Sequence, residues 1–125
     1  MLAQTIYREA RGIASQTEQA CIVWTVLNRI DAGWYSSVYS ALTAPGQFAY
    51  DYYAPTIDDY GRDLITLAQD VLNRWYLEHS GVTEVGRVLP SDYMWYAGDG
   101  YHNYFRNSYL GGTTWDYSWG TPYSS

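Results

Sequence analysis

Apolar residues recur with a helical period in three stretches of the chain. In the first, residues 2–11, Leu2, Ala3, Ile6, Tyr7 and Ala10 fall on one arc at about 100° per residue. Glu9 lies at the edge of that arc beside Leu2, Arg8 points away, and Gly12 is placed to stop the helix in the left-handed region. The second stretch opens at Ser15-Gln16-Thr17-Glu18, a capping-box sequence in which Ser15 caps and Glu18 is expected to reach back. It predicts a helix to about Ala32, ended by Gly33. Ala20, Ile22, Val23, Trp24, Val26, Leu27 and Ile30 cover roughly 200° of its circumference, the width of a central, mostly buried helix. Thr25, Asn28 and Arg29 form its narrow polar side, and Cys21 at the border reads as a packed, inert thiol. The third stretch is the longest, about Ile57 to His79. Tyr60, Leu64, Leu67, Ala68, Val71, Leu72 and Trp75 share one face against Arg62, Asp63, Thr66, Gln69, Asp70 and Asn73, and Gly81 closes it.

The segments between and after these helices are less regular. Ser36 or Ser37 is expected to cap a short helix through Leu42. Ala44-Pro45-Gly46 then breaks the pattern, and Gln47 to Tyr53 alternates loosely enough for a strand or an extended loop. After Gly86 the helical period is lost. Met94 to Ala97 reads as a short buried strand, and the rest is rich in Gly, Asn, Ser and aromatic residues. With no internal repeat and no dividing linker, residues 1–125 are expected to be one domain, α+β and mainly α.

Composition narrows the function classes. Thirteen acidic residues against seven basic ones, all arginine, give a formal charge of −6, which argues against a nucleic-acid partner. No run approaches the ~18 apolar residues of a membrane-spanning helix. The single cysteine excludes an internal disulfide, and the first residues lack the features of a signal peptide. Fifteen tyrosines and six tryptophans stand against two phenylalanines. Rings with a polar edge suit half-wet surfaces, so this excess implies either an aromatic-lined groove, with carbohydrate as its natural occupant, or a tyrosine-rich surface without a ligand.

The standard catalytic constellations are mostly absent. His79, His102 and Cys21 give no metal-ligand spacing, so no metal or cofactor is expected. There is no nucleophile elbow, phosphate loop or dinucleotide fingerprint. Carboxylates, amides and aromatic rings remain, the groups that glycosidases use. Glu9 is the most interesting acid: at the edge of an apolar arc, partial burial would disfavour its charged form and suit it to act as a general acid. The alternative is a surface glutamate paired with Arg8 or Arg11.

Four segments carry a resemblance. Glu9-Ala10-Arg11-Gly12 at the end of the first helix resembles the E-A-R-G signature of the SleB-type cell-wall hydrolases, the spore-cortex-lytic family. Val26-Leu27-Asn28-Arg29 is similar to that family's V-L-N-R, and Pro45-Gly46-Gln47-Phe48 to its P-x-Q-F segment. Tyr93 to Asn103 resembles, more loosely, a later tract where an aromatic strand leads to an asparagine. Order and spacing agree over roughly residues 2–105. Two positions depart from the pattern: Arg8 stands where the family often has glycine, and Ile13 where it often has a second glutamate, leaving Glu9 as the only acid of the motif. The tail from Tyr104 is unlike the family.

The resemblance implies a lysozyme-like fold, with a helical lobe on one side of a glycan cleft and a small β or loop region on the other. It implies cleavage of the β-1,4 bond after N-acetylmuramic acid, with peptidoglycan glycan strands as partner and a monomeric enzyme. In the lytic transglycosylase form of the reaction one glutamate suffices, here Glu9. Gln47 would bond an acetamido group or sugar hydroxyl. Phe48, Tyr50 and Tyr52 would line one wall, and Tyr96, Tyr101 and Asn103 the other. Asn28 and Arg29 are expected to tie the second helix to neighbouring loops, and Arg11 to hold local backbone. Muramidase-type hydrolysis would need a second carboxylate, for which Asp51, Asp99 and Asp116 are the loop candidates. A non-catalytic carbohydrate-binding protein, or an inactive phage-associated protein on the same scaffold, is the competing reading. Such a substrate lies outside the membrane, so an extracytoplasmic or phage-lysin setting is expected.

Overall fold

The computed structural model describes residues 15–37, 59–98, 102–116, 119 and 121–123, with side chains from residue 65 onward in the second helix. The described residues form a small, helix-rich α+β arrangement. Helix α1 is Gln16–Asp31, α2 is Asp59–His79, and strands β1 (Trp95–Gly98) and β2 (Asn103–Arg106) pair antiparallel with Trp95 opposite Arg106 and Gly98 opposite Asn103. The first helix, the short helix after Ser37, and the Gln47–Tyr53 segment expected from the sequence lie outside the described residues.

Helix α1 begins where the sequence predicts. Ser15 adopts an extended conformation (φ −70°, ψ 119°), and its Oγ accepts the Glu18 N–H at 3.2 Å, satisfying one of the helix's open donors. The other half of the capping box is not used, because the Glu18 carboxylate is turned toward residues 102 and 103. At the far end Trp34 N–H reaches the Arg29 carbonyl and Gly33 N–H the Ile30 carbonyl, with Gly33 at φ +83°. This double closure needs a left-handed residue, and α2 ends the same way at Gly81.

Burial of α1 exceeds the expected apolar arc. Every residue from Thr17 to Arg29 is buried, so its polar side faces protein as well. Thr25 meets this by donating its hydroxyl to the Cys21 carbonyl at 2.9 Å. Cys21 itself is fully buried, and desolvation, followed by the nearby Glu18 charge, pushes its thiol up out of the reactive range.

Helix α2 packs on α1 through the predicted face. Leu67, Ala68 and Val71 are buried and Leu72 and Trp75 partly so, while Thr66, Gln69 and Asn73 are exposed. The C-terminal ends of the two helices are pinned together: Asp31 accepts the Trp75 indole N–H at 3.1 Å and meets His79 Nε2 at 2.9 Å.

The hairpin and the chain after it complete the core. In β2, Asn103 and Phe105 point inward and Tyr104 outward. Trp115 extends the sheet edge by donating its backbone N–H to the Phe105 carbonyl at 2.7 Å, and its indole packs edge-on against Phe105. Trp24 and Trp115 are the two largest fully buried side chains. Part of the aromatic excess therefore builds the core, which neither reading of the composition foresaw. No helix among the described residues is long and apolar enough to cross a membrane.

Candidate functional site

Two polar clusters fasten the hairpin region along α1, one at each end of the helix. At the N-terminal end the carboxylate of Glu18, fully buried in the first turn, is the centre. Its Oε1 accepts the backbone N–H of Asn103 at 3.2 Å and lies 3.2 Å from His102 Nδ1; its Oε2 is 3.5 Å from Asn103 Nδ2. A buried carboxylate is costly unless hydrogen bonded, and here the donors come from the residue pair that opens β2. Gly98, paired with Asn103, permits the approach: a Cβ there would lie 2.9 Å from Asn103 Oδ1. Asn103 is buried, whereas the side chain of His102 is 56% exposed.

At the C-terminal end Asn28 is the hub. Its Nδ2 donates to the carbonyls of Pro90 and Tyr93, both at 2.9 Å, and its Oδ1 accepts from Arg87 at 2.6 Å. Arg87 also forms a bidentate pair with Glu78, holding that carboxyl below the usual range, and its guanidinium lies 4.2 Å over the Trp24 ring. Arg29 Nε donates to the Met94 carbonyl at 2.7 Å, and its guanidinium lies 5.3 Å from the Trp34 ring. Trp34 in turn meets Trp95 edge-on, with centroids 5.5 Å apart. Asn28 and Arg29 thus fix residues 90–94 where they enter β1.

The nominated residues fall into two groups. Asn28 and Arg29 stand at one end of α1 and Asn103 meets its other end, turning its amide to Glu18 rather than outward, while Tyr96 is half-buried against Phe105 within the hairpin. Glu9, Arg11, Gln47, Phe48, Tyr50, Tyr52 and Tyr101 lie outside the described residues, as do Asp51 and Asp99. Asp116 is exposed.

Glu18, His102 and Arg87 were not singled out by sequence. The signal for Glu18 was present: four residues before Ile22 and three before Cys21, it shares their buried face. Its place in a capping box gave a sufficient local explanation and masked the longer-range one. His102 and Arg87 carry no periodic signal at all.

A separate open depression of about 290 Å³ is lined by Gln16, Thr66, Leu67, Asp70, Arg74 and Tyr123. Its charged and phenolic groups are engaged with one another: Arg74 Nε donates to Asp70 at 2.8 Å and Tyr123 donates its hydroxyl to Asp70 at 2.6 Å. Burial alone would raise the Asp70 carboxyl, but these two bonds and the Arg74 charge bring it below its ordinary value. This arrangement fastens the tail to α2 and contains none of the residues nominated from the sequence. Among the described residues no three His, Cys, Asp or Glu side chains are grouped so that they could hold a metal ion.

No protein-family model matches the chain, and no curated protein and no solved structure matches it significantly.

Proposed function

We propose that the protein is a peptidoglycan-cleaving glycosidase of lysozyme-like fold, acting on the β-1,4 bond between N-acetylmuramic acid and N-acetylglucosamine as a lytic transglycosylase, with Glu9 as its acid and base. One observation carries the reading. Two of the segments that resemble the SleB-type family, Val26–Arg29 and Tyr93–Asn103, are joined along a single buried helix, through Asn28 and Arg29 at one end and Glu18 at the other. A glycan site assembled from separated segments requires such fastening, since each loop must be held in place by the scaffold. Glu9, in the E-A-R-G segment, precedes the N-cap Ser15 of that same helix by six residues.

The chemistry requires a single carboxyl. Protonated Glu9 gives its proton to the glycosidic oxygen as the bond from C1 of muramic acid breaks. The resulting carboxylate takes the proton of the same sugar's C6 hydroxyl as that oxygen bonds to C1, so the product is a 1,6-anhydro sugar and the acid is regenerated. The C6 hydroxyl is already held near C1, which gives it a high effective concentration over water. Gln47 orients the acetamido group, and aromatic residues 48, 50, 96 and 101 wall the cleft. Glu18 is not a second catalytic carboxylate on this scheme, since it is fully buried and occupied by donors from residues 102 and 103. The substrate places the enzyme outside the membrane or, for a phage lysin, at the wall during lysis.

The test is digestion of purified peptidoglycan sacculi with the protein. Loss of turbidity with release of soluble disaccharide-peptides supports the reading. Intact sacculi, or release of peptides without glycan cleavage, rejects it.

A further inference from the structure

Strand β1 turns Tyr96 inward against Phe105, so its neighbour Trp95 lies on the outer face of the hairpin. There it meets Trp34, the residue after the left-handed Gly33 that ends α1. The two indoles stand at 67° with their centroids 5.5 Å apart. Trp34 is 41% exposed and Trp95 is half-buried. We infer that Trp34 and Trp95 form a corner that binds one pyranose ring of a glycan strand. The choice of peptidoglycan glycan as that strand rests on the function proposed above.

The corner is held before any ligand arrives. Trp34 donates its backbone N–H to the Arg29 carbonyl at 2.9 Å, and the Arg29 guanidinium lies 5.3 Å from its ring centre. Arg29, itself buried, donates from Nε to the Met94 carbonyl at 2.7 Å, one residue before Trp95. One arginine thus ties together the two segments that carry the rings. Rings fixed in this way lose little freedom on binding, as a recognition contact requires.

The exposed chemistry selects the ligand. Neither indole N–H has a hydrogen-bond partner among the described residues. That of Trp95 is not sealed in the core, unlike that of Trp24. The cations beside the corner are engaged, Arg29 by the Met94 carbonyl and Arg106 by the Gly111 carbonyl. What is offered is apolar ring surface with open donors. A pyranose matches it, with a face of C–H groups and a rim of hydroxyl acceptors. At 67°, a sugar lying flat on one indole presents its rim to the other. Other occupants fit less well. The net charge of −6 disfavours nucleic acid and anionic lipid. Two side chains fall far short of the ~1,200 Å² of a stable dimer. A polyproline peptide needs an open groove between aromatic rings, whereas these rings meet edge-on.

The test follows the indole N–H resonances of nitrogen-15-labelled Glu9→Gln protein, in which Trp34→Phe and Trp95→Phe identify the two signals. The probes are soluble glycan fragments from sacculi, the β-1,4-linked tetramer of N-acetylglucosamine, and a proline-rich peptide. Both signals should move saturably with at least one of the two saccharides and stay still with the peptide. Trp34→Ala and Trp95→Ala should each weaken saccharide binding about tenfold, the scale of a lost aromatic contact.

Two signals that stay still with both saccharides, or that move only with the peptide, overturn the corner. So does saccharide binding of unchanged strength in both alanine variants. The proposed activity is read separately, from sacculus digestion by wild type. Digestion with the two signals unmoved leaves the function standing and removes the corner. Intact sacculi with both signals moved keep the corner as a saccharide site and remove the activity.

Discussion

The carboxylate of Glu18 and the backbone N–H of Asn103, 85 residues apart in sequence, meet at 3.2 Å inside the protein. This bond joins the first turn of α1 to the start of β2. Glu18→Ala would leave the Asn103 N–H and amide buried without that acceptor. Urea unfolding should show a loss of about 2–3 kcal/mol, the scale of buried polar groups left unpaired. Glu18→Gln keeps one carbonyl and should lose about 1 kcal/mol.

Gly98→Ala reaches the same contact from the opposite strand. Its Cβ would press on Asn103 Oδ1 at 2.9 Å and turn the amide from Glu18. The two substitutions share a target, so the double variant should lose less stability than the sum of the singles. Strict additivity would mean that the close approach of Gly98 is unrelated to Glu18.

Asn28 is expected to matter more than its apolar neighbours of similar size. Replacing it by Ala removes two donors from the Pro90 and Tyr93 carbonyls and the acceptor for Arg87. The expected loss is about 3 kcal/mol or more, because the bonds form one buried network. Asn28→Leu fills the volume but satisfies none of the three partners, so it should not rescue. A leucine variant as stable as wild type would show that the network contributes nothing net.

The His79–Asp31 contact predicts a pH dependence. The Trp75 carbonyl on Nδ1, and then the Asp31 carboxylate on Nε2, raise the folded pKa of His79 above its usual value near 6.5. A raised pKa stabilises the folded state fully below the unfolded pKa, and the gain is lost as pH rises through the folded value. Asp31 and His79 are both partly exposed, so the effect should stay under about 1 kcal/mol. Thermal melts of wild type and Asp31→Asn should differ more at about pH 5.5 than at about pH 8.5. A gap that is constant or widens with pH would contradict this account of the pin.

How much of this was legible depended on periodicity. The bounds of α1, its cap at Ser15 and its stop at Gly33 follow from local patterning, and so do the buried face and C-terminal stop of α2. β1 falls within a residue of the apolar and aromatic run Met94 to Ala97, but it is not the buried strand expected there: Trp95 and Tyr96 are half-buried and Ala97 and Gly98 exposed, because the strand lies at the surface of a two-stranded hairpin. β2 was not foreseen: four residues with two inward positions, one of them Asn103, carry too little alternation to stand out from a polar loop. The burial of Thr25, Asn28 and Arg29 is also beyond a helical wheel, which sorts residues by polarity and cannot see that Thr25 will donate back to the Cys21 carbonyl or that carbonyls of residues 90–94 will meet Asn28 and Arg29. At the site, the expectation that Asn28 and Arg29 tie α1 to neighbouring loops agrees with their bonds. Glu18 was hidden by its own adequate local role.

The central claim is that Glu9 cleaves glycan strands without water, and mass spectrometry of the products tests it most directly. Purified sacculi are digested with wild type and with Glu9→Gln under the same conditions, and the soluble muropeptides are weighed. The account predicts disaccharide-peptides lighter by one water than hydrolysis products, carrying 1,6-anhydro-muramic acid, from wild type. It predicts at least about a hundredfold less from Glu9→Gln, the scale of a lost acid/base group. Reducing-end muramic acid as the main product would contradict the transglycosylase chemistry, and equal yields from the two proteins would remove Glu9 from the mechanism.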